Sequence, residues 1–168
     1  MAVDTVDTGP AAVRRRMREA METHDHAAVV SLLAPDVVLR SPIIGTAFEG
    51  REAVGALLGA VLEEFKGSNY TGDGEVGDRQ VLHFSARVRG LDIDGVDAMR
   101  VNDDGVVEHI QVYIRPMVGL AAVAAALGPH LARGPVQRVL VSALTIPLVG
   151  LLKLAEPLIP RLVWLRRG

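Results

Sequence analysis

Two segments in the second half of the chain alternate between apolar and polar residues, and this pattern restricts the fold more than any other feature of the sequence. Residues 82–89 read Leu-His-Phe-Ser-Ala-Arg-Val-Arg, and residues 106–115 alternate in the same way. A period of two describes a β-strand with one buried and one solvated face. The segment Asn102-Asp103-Asp104-Gly105 is typical of a hairpin turn, so strands over 93–102 and 106–115 should pair antiparallel.

The same alternation predicts which side chains face the interior. Asp97 has the parity of Met99 and Val101, so its carboxyl group should share their buried face. A lone inward carboxylate is costly unless it is neutral or hydrogen bonded. Asp97 is therefore either an acid/base group with a raised pKa or a structural aspartate bonded to the backbone, an arginine or a tyrosine. The apolar side chains predicted to face the same interior are Leu82, Phe84, Ala86, Met99, Val101, Ile110, Val112 and Ile114.

The residues before these strands have helical spacing instead. Apolar side chains recur every three or four positions over 13–21 and again over 51–65, which predicts two helices; Leu58 lies on the apolar stripe of the second. Asp25 is placed to cap a short intervening helix, whose apolar side ends at Leu33 and which Pro35 closes. Helices followed by a meander of strands indicate an α+β fold, with helices on one face of a curved antiparallel sheet.

Composition and charge exclude several classes of function. Hydrophobic residues make up 49% of the 168 residues, enough for a packed core, and the net charge of -2 gives no electrostatic reason to bind nucleic acid. Without cysteine there is no disulfide, thiol nucleophile or thiolate metal site. Residues 1–10 lack the basic and apolar regions of a signal peptide, so we expect a cytoplasmic protein.

Two arrangements of residues contain histidine and have the residue types of a metal site or a catalytic triad. His24-Asp25-His26 has the ligand types of a metal cluster, but capping by Asp25 explains the motif and a third ligand is missing, so we expect neither metal nor cofactor. Ser41, His83 and Asp97 lack the nucleophile elbow of a catalytic triad. Tyr70 is expected to place a hydroxyl at a cavity rim or at the edge of the core.

The C-terminal segment differs from the rest of the chain in charge and hydropathy. Residues 135–168 carry five basic side chains and one acidic one, a balance of +4, which leaves -6 on the remainder. The uncharged stretch 139–152 is shorter than the roughly 20 residues that a bilayer-spanning helix needs. Residues 136–168 either contact a membrane surface peripherally or bury their apolar sides over the sheet, over a cavity mouth or in a dimer interface.

Over residues 10–117, the order of these elements resembles the nuclear transport factor two-like superfamily, which includes ketosteroid isomerases, limonene epoxide hydrolases and SnoaL-like polyketide cyclases. The resemblance rests on four landmarks in order: Asp25 between the first helices, Leu39-Arg40-Ser41-Pro42, Gly50-Arg51-Glu52-Ala53-Val54, and the segment from Val96 to Gly105. It implies a cone-shaped α+β domain over 10–117, after a flexible start at 1–9 and before apolar C-terminal helices over 118–168.

The resemblance also implies roles for particular residues. Asp97 matches the protonated oxyanion donor of ketosteroid isomerases. Ser41 stands where that family has its general-base aspartate, and Met17 falls near its oxyanion tyrosine. At the positions matching the catalytic residues of limonene epoxide hydrolases, this chain has Phe84, Ala86 and Val112, all apolar. The comparison with SnoaL-like cyclases requires one inward acid/base carboxylate near an apolar cavity, and Asp97 supplies it.

Two functions therefore remain open at the level of sequence. In the first, the chain is an isomerase, cyclase or hydrolase that acts on an apolar, steroid- or polyketide-like molecule, with Asp97 as acid/base or oxyanion donor. In the second, it is a non-catalytic module that binds a hydrophobic ligand or dimerises, with its C-terminal segment on a membrane or a partner. The family resemblance implies a homodimer through the sheet face that carries His109, Gln111 and Tyr113. The residues expected to contact the ligand are Met17, Ser41, Leu58, Tyr70, Leu82, Phe84, Ala86, Met99, Val101, Ile110, Val112 and Ile114.

Overall fold

A computed structural model describes residues 9–132 and 134–155 as helices on one face of a six-stranded sheet. In chain order the elements are α1 (Pro10–Glu22), α2 (His26–Ser31), β1 (Leu33–Arg40), β2 (Phe48–Glu49), α3 (Arg51–Glu64), β3 (Lys66–Val76), β4 (Arg79–Val88), β5 (Leu91–Val101), β6 (Val107–Arg115), α4 (Met117–Leu131) and α5 (Pro135–Ala155). The α+β architecture predicted from the sequence is confirmed. The expected start at 1–9 falls mostly outside the described residues.

The strand order is β2-β1-β6-β5-β4-β3. Strands β4 to β6 form the predicted meander, β3 pairs with β4 at its edge, and the β5–β6 hairpin pairs Met99 with Ile110 across the turn at 102–105. The sheet is mixed rather than wholly antiparallel, because β1 joins the free edge of β6 in parallel. A parallel partner needs a long connection, and the segment between β1 and β6 contains β2, α3 and strands β3 to β5.

Helix α2 begins where its capping residue Asp25 predicts. The Asp25 side chain accepts a hydrogen bond of 2.9 Å from the backbone N–H of Ala28, which satisfies one of the unpaired donors at the start of α2. Helix α2 ends at Ser31, so Leu33 does not belong to its apolar side as predicted. Leu33 instead begins β1 and is completely buried, because the short helix ends before Pro35 and the chain enters the sheet at this point.

Helix α4 closes the interior from the side opposite α1. It packs on α3 and on strands β4, β5 and β6, with Val123 and Leu127 in the main hydrophobic core. Gly119 allows this close approach, since a Cβ atom there would lie 2.5 Å from the Cγ2 atom of Ile93. The interior is therefore walled by helices on two sides and by the sheet on the third.

Helix α5 packs on α4, with Val149 and half-buried Leu152 against Ala121 and Ala125. For the segment 136–168, the structure thus shows that α5 contacts α4, the helix that walls the interior. Residues 156–168 lie outside the described part of the chain. No helix among the described residues is long and apolar enough to cross a membrane.

Candidate functional site

Asp97 lies in the middle of the inner face of the sheet. In the strand register it stands between Leu82 of β4 and Val112 of β6, and residues directly opposite each other in an antiparallel sheet share a face. Its neighbours along β5 on that face are Gly95 and Met99. These four sheet neighbours offer the carboxyl group neither a charge nor a side-chain hydrogen bond.

A narrow pocket of about 60 Å³ opens beside this carboxyl group. At ~10–15 Å³ per water, the space holds a few water molecules rather than a molecule of several fused rings. An open groove of about 530 Å³ shares Ser41, Ile43, Leu57 and Leu127 with the pocket. The groove therefore lies directly beside the pocket, with these four residues between them.

Burial raises the pKa of Asp97 from its ordinary 3.8 to about 7. Within residues 9–132 and 134–155, no hydrogen bond or ion pair engages this carboxyl group. Asp97 is nevertheless not fully enclosed by protein atoms, since it is one of the pocket-lining residues. Near neutral pH it is thus present in both protonation states and accessible to a small molecule in the pocket.

Tyr70 of β3 is the second ionisable residue that lines the pocket. Its side chain is buried, and burial followed by the charge of Asp97 raises the pKa of its hydroxyl well above 10, so the hydroxyl is a proton donor at all ordinary pH values. Its backbone is held by α1, because Arg18 donates a hydrogen bond of 2.9 Å to the Tyr70 carbonyl oxygen. Arg18 is a positioning residue that the sequence did not identify.

The pocket wall between Asp97 and Tyr70 is the ring of Phe84, and a glycine makes room for it. Phe84 stands opposite Gly95, and a Cβ atom on Gly95 would lie 2.2 Å from the Cζ atom of the ring. The ring also packs 6.1 Å from that of Tyr70 and 6.3 Å from that of Phe65, measured between centroids. Gly95 therefore sets the position of the aromatic wall, although nothing in the sequence marked it.

The structure brings part of the predicted ligand-contacting set together. Asp97, Ser41, Leu58, Tyr70, Phe84, Val112 and Ile114 all line the pocket. The other residues predicted to contact a ligand do not line this pocket, which corrects their predicted place in its wall. Those residues are Met17, Leu82, Ala86, Met99, Val101 and Ile110.

Packing by α1 explains most of this difference. Helix α1 lies against β3, β4 and β5, so the inner face beneath it is filled by core side chains. Met17, Leu82, Met99 and Ile110 are each at most 3% exposed and belong to that core. Ala86 is also buried, and half-buried Val101 lies beside the register shift in the β5–β6 hairpin. Strand parity identifies the inner face but not which part of it a helix covers.

The remaining pocket wall comes from helices and from the end of β1. Helix α3 contributes Val61 and Leu62, α4 contributes Val123 and Leu127, and Ile43 follows β1. The apolar stripe of α3 and the Ser41-Pro42 bend were both visible in the sequence. That the α3 stripe and this bend line the same pocket depends on long-range packing, which the periodicity of the sequence does not predict.

Ser41 and Met17, at the two positions where ketosteroid isomerases have catalytic groups, differ in whether they line the pocket. Ser41 lines the pocket, but its hydroxyl already accepts a hydrogen bond of 3.2 Å from the Ile43 backbone N–H. Met17 is buried in the core and reaches no pocket. In the described part of the chain, no group of three or more histidine and acidic side chains is arranged to hold a metal ion. The polar side chains that line the pocket are therefore the Asp97 carboxyl group, the Tyr70 phenol and the hydroxyl groups of Ser41 and Ser68.

The outer face of the sheet is polar, as its alternation predicts. Glu108 lies at the solvated end of β6 and accepts a hydrogen bond of 2.5 Å from Arg100 Nε. Burial, together with the charges of Arg79, Arg100 and Arg40, lowers the pKa of His109. His83 Nδ1 lies 2.6 Å from the Thr71 hydroxyl. None of these residues reaches the pocket.

Comparisons with known proteins agree with this architecture. A family model described as a SnoaL-like domain matches residues 13–109. A steroid delta-isomerase from Pseudomonas aeruginosa has 31% identity and a TM-score of 0.69, covering 77% of this chain and 96% of that one. A cystatin-like-fold protein from Silicibacter pomeroyi has 30% identity and a TM-score of 0.65, covering 68% and 82%.

A third solved structure is similar in fold alone. It is an NTF-2 like protein of unknown function from Burkholderia xenovorans, with 19% identity and a TM-score of 0.55, covering 62% of this chain and 80% of that one. A search of curated proteins found no match. The cone-shaped α+β fold inferred from the sequence landmarks is thus shown by both the family model and the solved structures.

Proposed function

This chain belongs to the SnoaL-like domain family, and from that premise we propose that it is a small-molecule isomerase or cyclase in which Asp97 transfers a proton. The substrate is an apolar molecule with one carbonyl group. It places that group in the pocket and the rest of its skeleton in the adjoining groove. The observation that carries the proposal is the position of a single unpaired carboxyl group, with a pKa of about 7, in an otherwise apolar pocket.

A pKa near 7 suits proton transfer at neutral pH, because a useful fraction of Asp97 is ionised and can act as a base. The ionised carboxylate takes the proton from the carbon beside the carbonyl group. The electron pair of the broken C–H bond moves into the carbonyl, giving an enolate. When the substrate has a β,γ double bond this enolate is a conjugated dienolate, and the same carboxyl group returns its proton to the γ carbon, which restores the ionised carboxylate and gives the neutral α,β-unsaturated isomer.

The enolate oxygen requires a hydrogen-bond donor, and the Tyr70 hydroxyl is available in the same pocket. Its raised pKa keeps the hydroxyl protonated while Asp97 cycles between its two forms. This assignment gives Tyr70 the role that Met17 cannot play. The steroid delta-isomerase similarity supports a reaction of this class, while the apolar lining supports a hydrophobic substrate.

The first test is turnover of a bicyclic β,γ-unsaturated ketone to its conjugated isomer, followed by ultraviolet absorbance. We expect Asp97→Asn to lower kcat/KM by about a hundredfold or more, and Tyr70→Phe to lower it by about a hundredfold. Asp94→Asn is the matched control, because Asp94 is on the outer face of the same strand, 3.6 Å from Arg115. Unchanged turnover in Asp97→Asn would contradict the proposal.

Ser41 and Met17, which stand where ketosteroid isomerases have two of their catalytic groups, favour a second function, in which the domain binds a hydrophobic ligand without converting it. Binding of naphthols, measured by calorimetry, separates the two functions. If wild type binds a naphthol but turns over no unsaturated ketone, the chain is a binding module. Loss of turnover in Asp97→Asn with naphthol binding retained is the result expected for the isomerase or cyclase, because asparagine keeps the shape of the side chain but cannot take up a proton.

A further inference from the structure

Between residues 146 and 155, the side of α5 that faces away from α4 is apolar. Val149 and Leu152 face α4, whereas Ile146, Leu148, Leu151 and Leu154 are exposed. Leu151 and Leu154 have 64% and 73% of their surface exposed. Between residues 146 and 155, the only charged side chain is that of Lys153. A helix with large apolar residues on its outer side requires a partner surface that is itself apolar.

The charge of the same segment identifies that surface. The C-terminal residues 135–168 have a balance of +4, with Arg161, Arg166 and Arg167 following α5 in the sequence, while the rest of the chain has -6. A second copy of this segment would bring the same positive charge and would be repelled. A bilayer that contains anionic lipids offers both an apolar layer for the leucines and negative charge for the basic side chains.

We infer that this chain docks peripherally on an anionic lipid surface through the outer face of α5, defined by Ile146, Leu148, Leu151 and Leu154. The four side chains enter the boundary between headgroups and acyl chains, and Lys153 contacts the headgroups. The acidic remainder of the chain is repelled by the same surface and stays on the aqueous side. Because α5 packs on α4, docking brings the helix that walls the pocket close to the lipid surface.

This inference is independent of the chemistry at Asp97, and its test requires no substrate. The full chain is mixed with vesicles of phosphatidylcholine alone or of phosphatidylcholine with phosphatidylglycerol, and bound protein is measured by flotation. We expect binding to the anionic vesicles about tenfold or more tighter than to the neutral ones, and weaker binding as salt is added. Trp164 is the only tryptophan, so its fluorescence provides a second readout.

The decisive variant is Leu151→Gln/Leu154→Gln, which removes apolar surface without changing charge. It should lower vesicle affinity by about tenfold or more, because each exposed leucine loses its transfer to an apolar phase. Val76→Gln is the matched control, since Val76 is 69% exposed but lies on β3. Val76→Gln should bind as wild type does.

Two results would overturn the inference. One is equal binding of wild type and Leu151→Gln/Leu154→Gln to anionic vesicles, which would place the contact elsewhere. The other is a dimer in analytical ultracentrifugation, without lipid, that Leu151→Gln/Leu154→Gln converts to a monomer. In that case the outer face of α5 is an interface between copies of the chain.

Discussion

Replacing Asp97 with asparagine should stabilise the protein increasingly as the pH rises, by up to about 4 kcal/mol above pH 7 relative to the difference at pH 4. In the folded chain the pKa of Asp97 is about 7, whereas in the unfolded chain it returns to about its ordinary 3.8. Between these values the folded state holds a proton that the unfolded state has released. The free energy of unfolding of wild type therefore falls through this range and levels off above it.

Asparagine has no proton to lose, so the variant lacks this fall. Urea unfolding of both proteins at several pH values between about 4 and 8 measures the difference directly. Asp94→Asn, on the outer face of β5, is the control and should not show the divergence. Parallel pH profiles for wild type and Asp97→Asn would mean that burial of the carboxyl group carries no energetic cost.

Gly95→Ala should destabilise the fold by roughly 1–3 kcal/mol and close the pocket. The added Cβ atom meets the Phe84 ring at 2.2 Å and the Tyr113 carbonyl oxygen at 2.8 Å. The ring has little room to move away, because Phe65 and Tyr70 pack around it. Displacement of Phe84 toward the pocket should also abolish naphthol binding.

Gly74→Ala is the matched control for this substitution. Gly74 lies on β3, and a Cβ atom there would meet nothing within 4 Å. Thermal unfolding and calorimetry on the two variants separate a local clash from a general intolerance of alanine in the sheet. A Gly95→Ala protein that matches wild type in both stability and binding would show that the Phe84 ring does not form the pocket wall.

The sequence predicted the parts of this fold that depend on local pattern. Alternation located β4 and the β5–β6 hairpin, and it placed Asp97 on the inner face, because side-chain direction in a strand follows residue parity. The same reasoning missed β3, whose sequence Lys-Gly-Ser-Asn-Tyr-Thr-Gly-Asp-Gly-Glu-Val has no alternation and three glycines. This strand is held in place by pairing with β4 rather than by its own propensity.

The candidate site was only partly predictable, for a related reason. Asp97 was found from parity, and its resemblance to a family position added a role. The separation of pocket from core depends on where α1 and α4 lie over the sheet, which distant packing decides. Met99 and Ile110 therefore share a face with Asp97 and yet contribute nothing to the pocket, while Leu127 of α4 does.

The proposed proton transfer depends above all on the protonation state of the Asp97 carboxyl group, and nuclear magnetic resonance measures that state directly. Wild type labelled with ¹³C at the aspartate side-chain carboxyl carbons is titrated, with Asp97→Asn used to assign the signal. The structure predicts a titration midpoint near 7 for Asp97. A midpoint near 3.8 would show a solvated carboxylate and would contradict the proposed acid/base role.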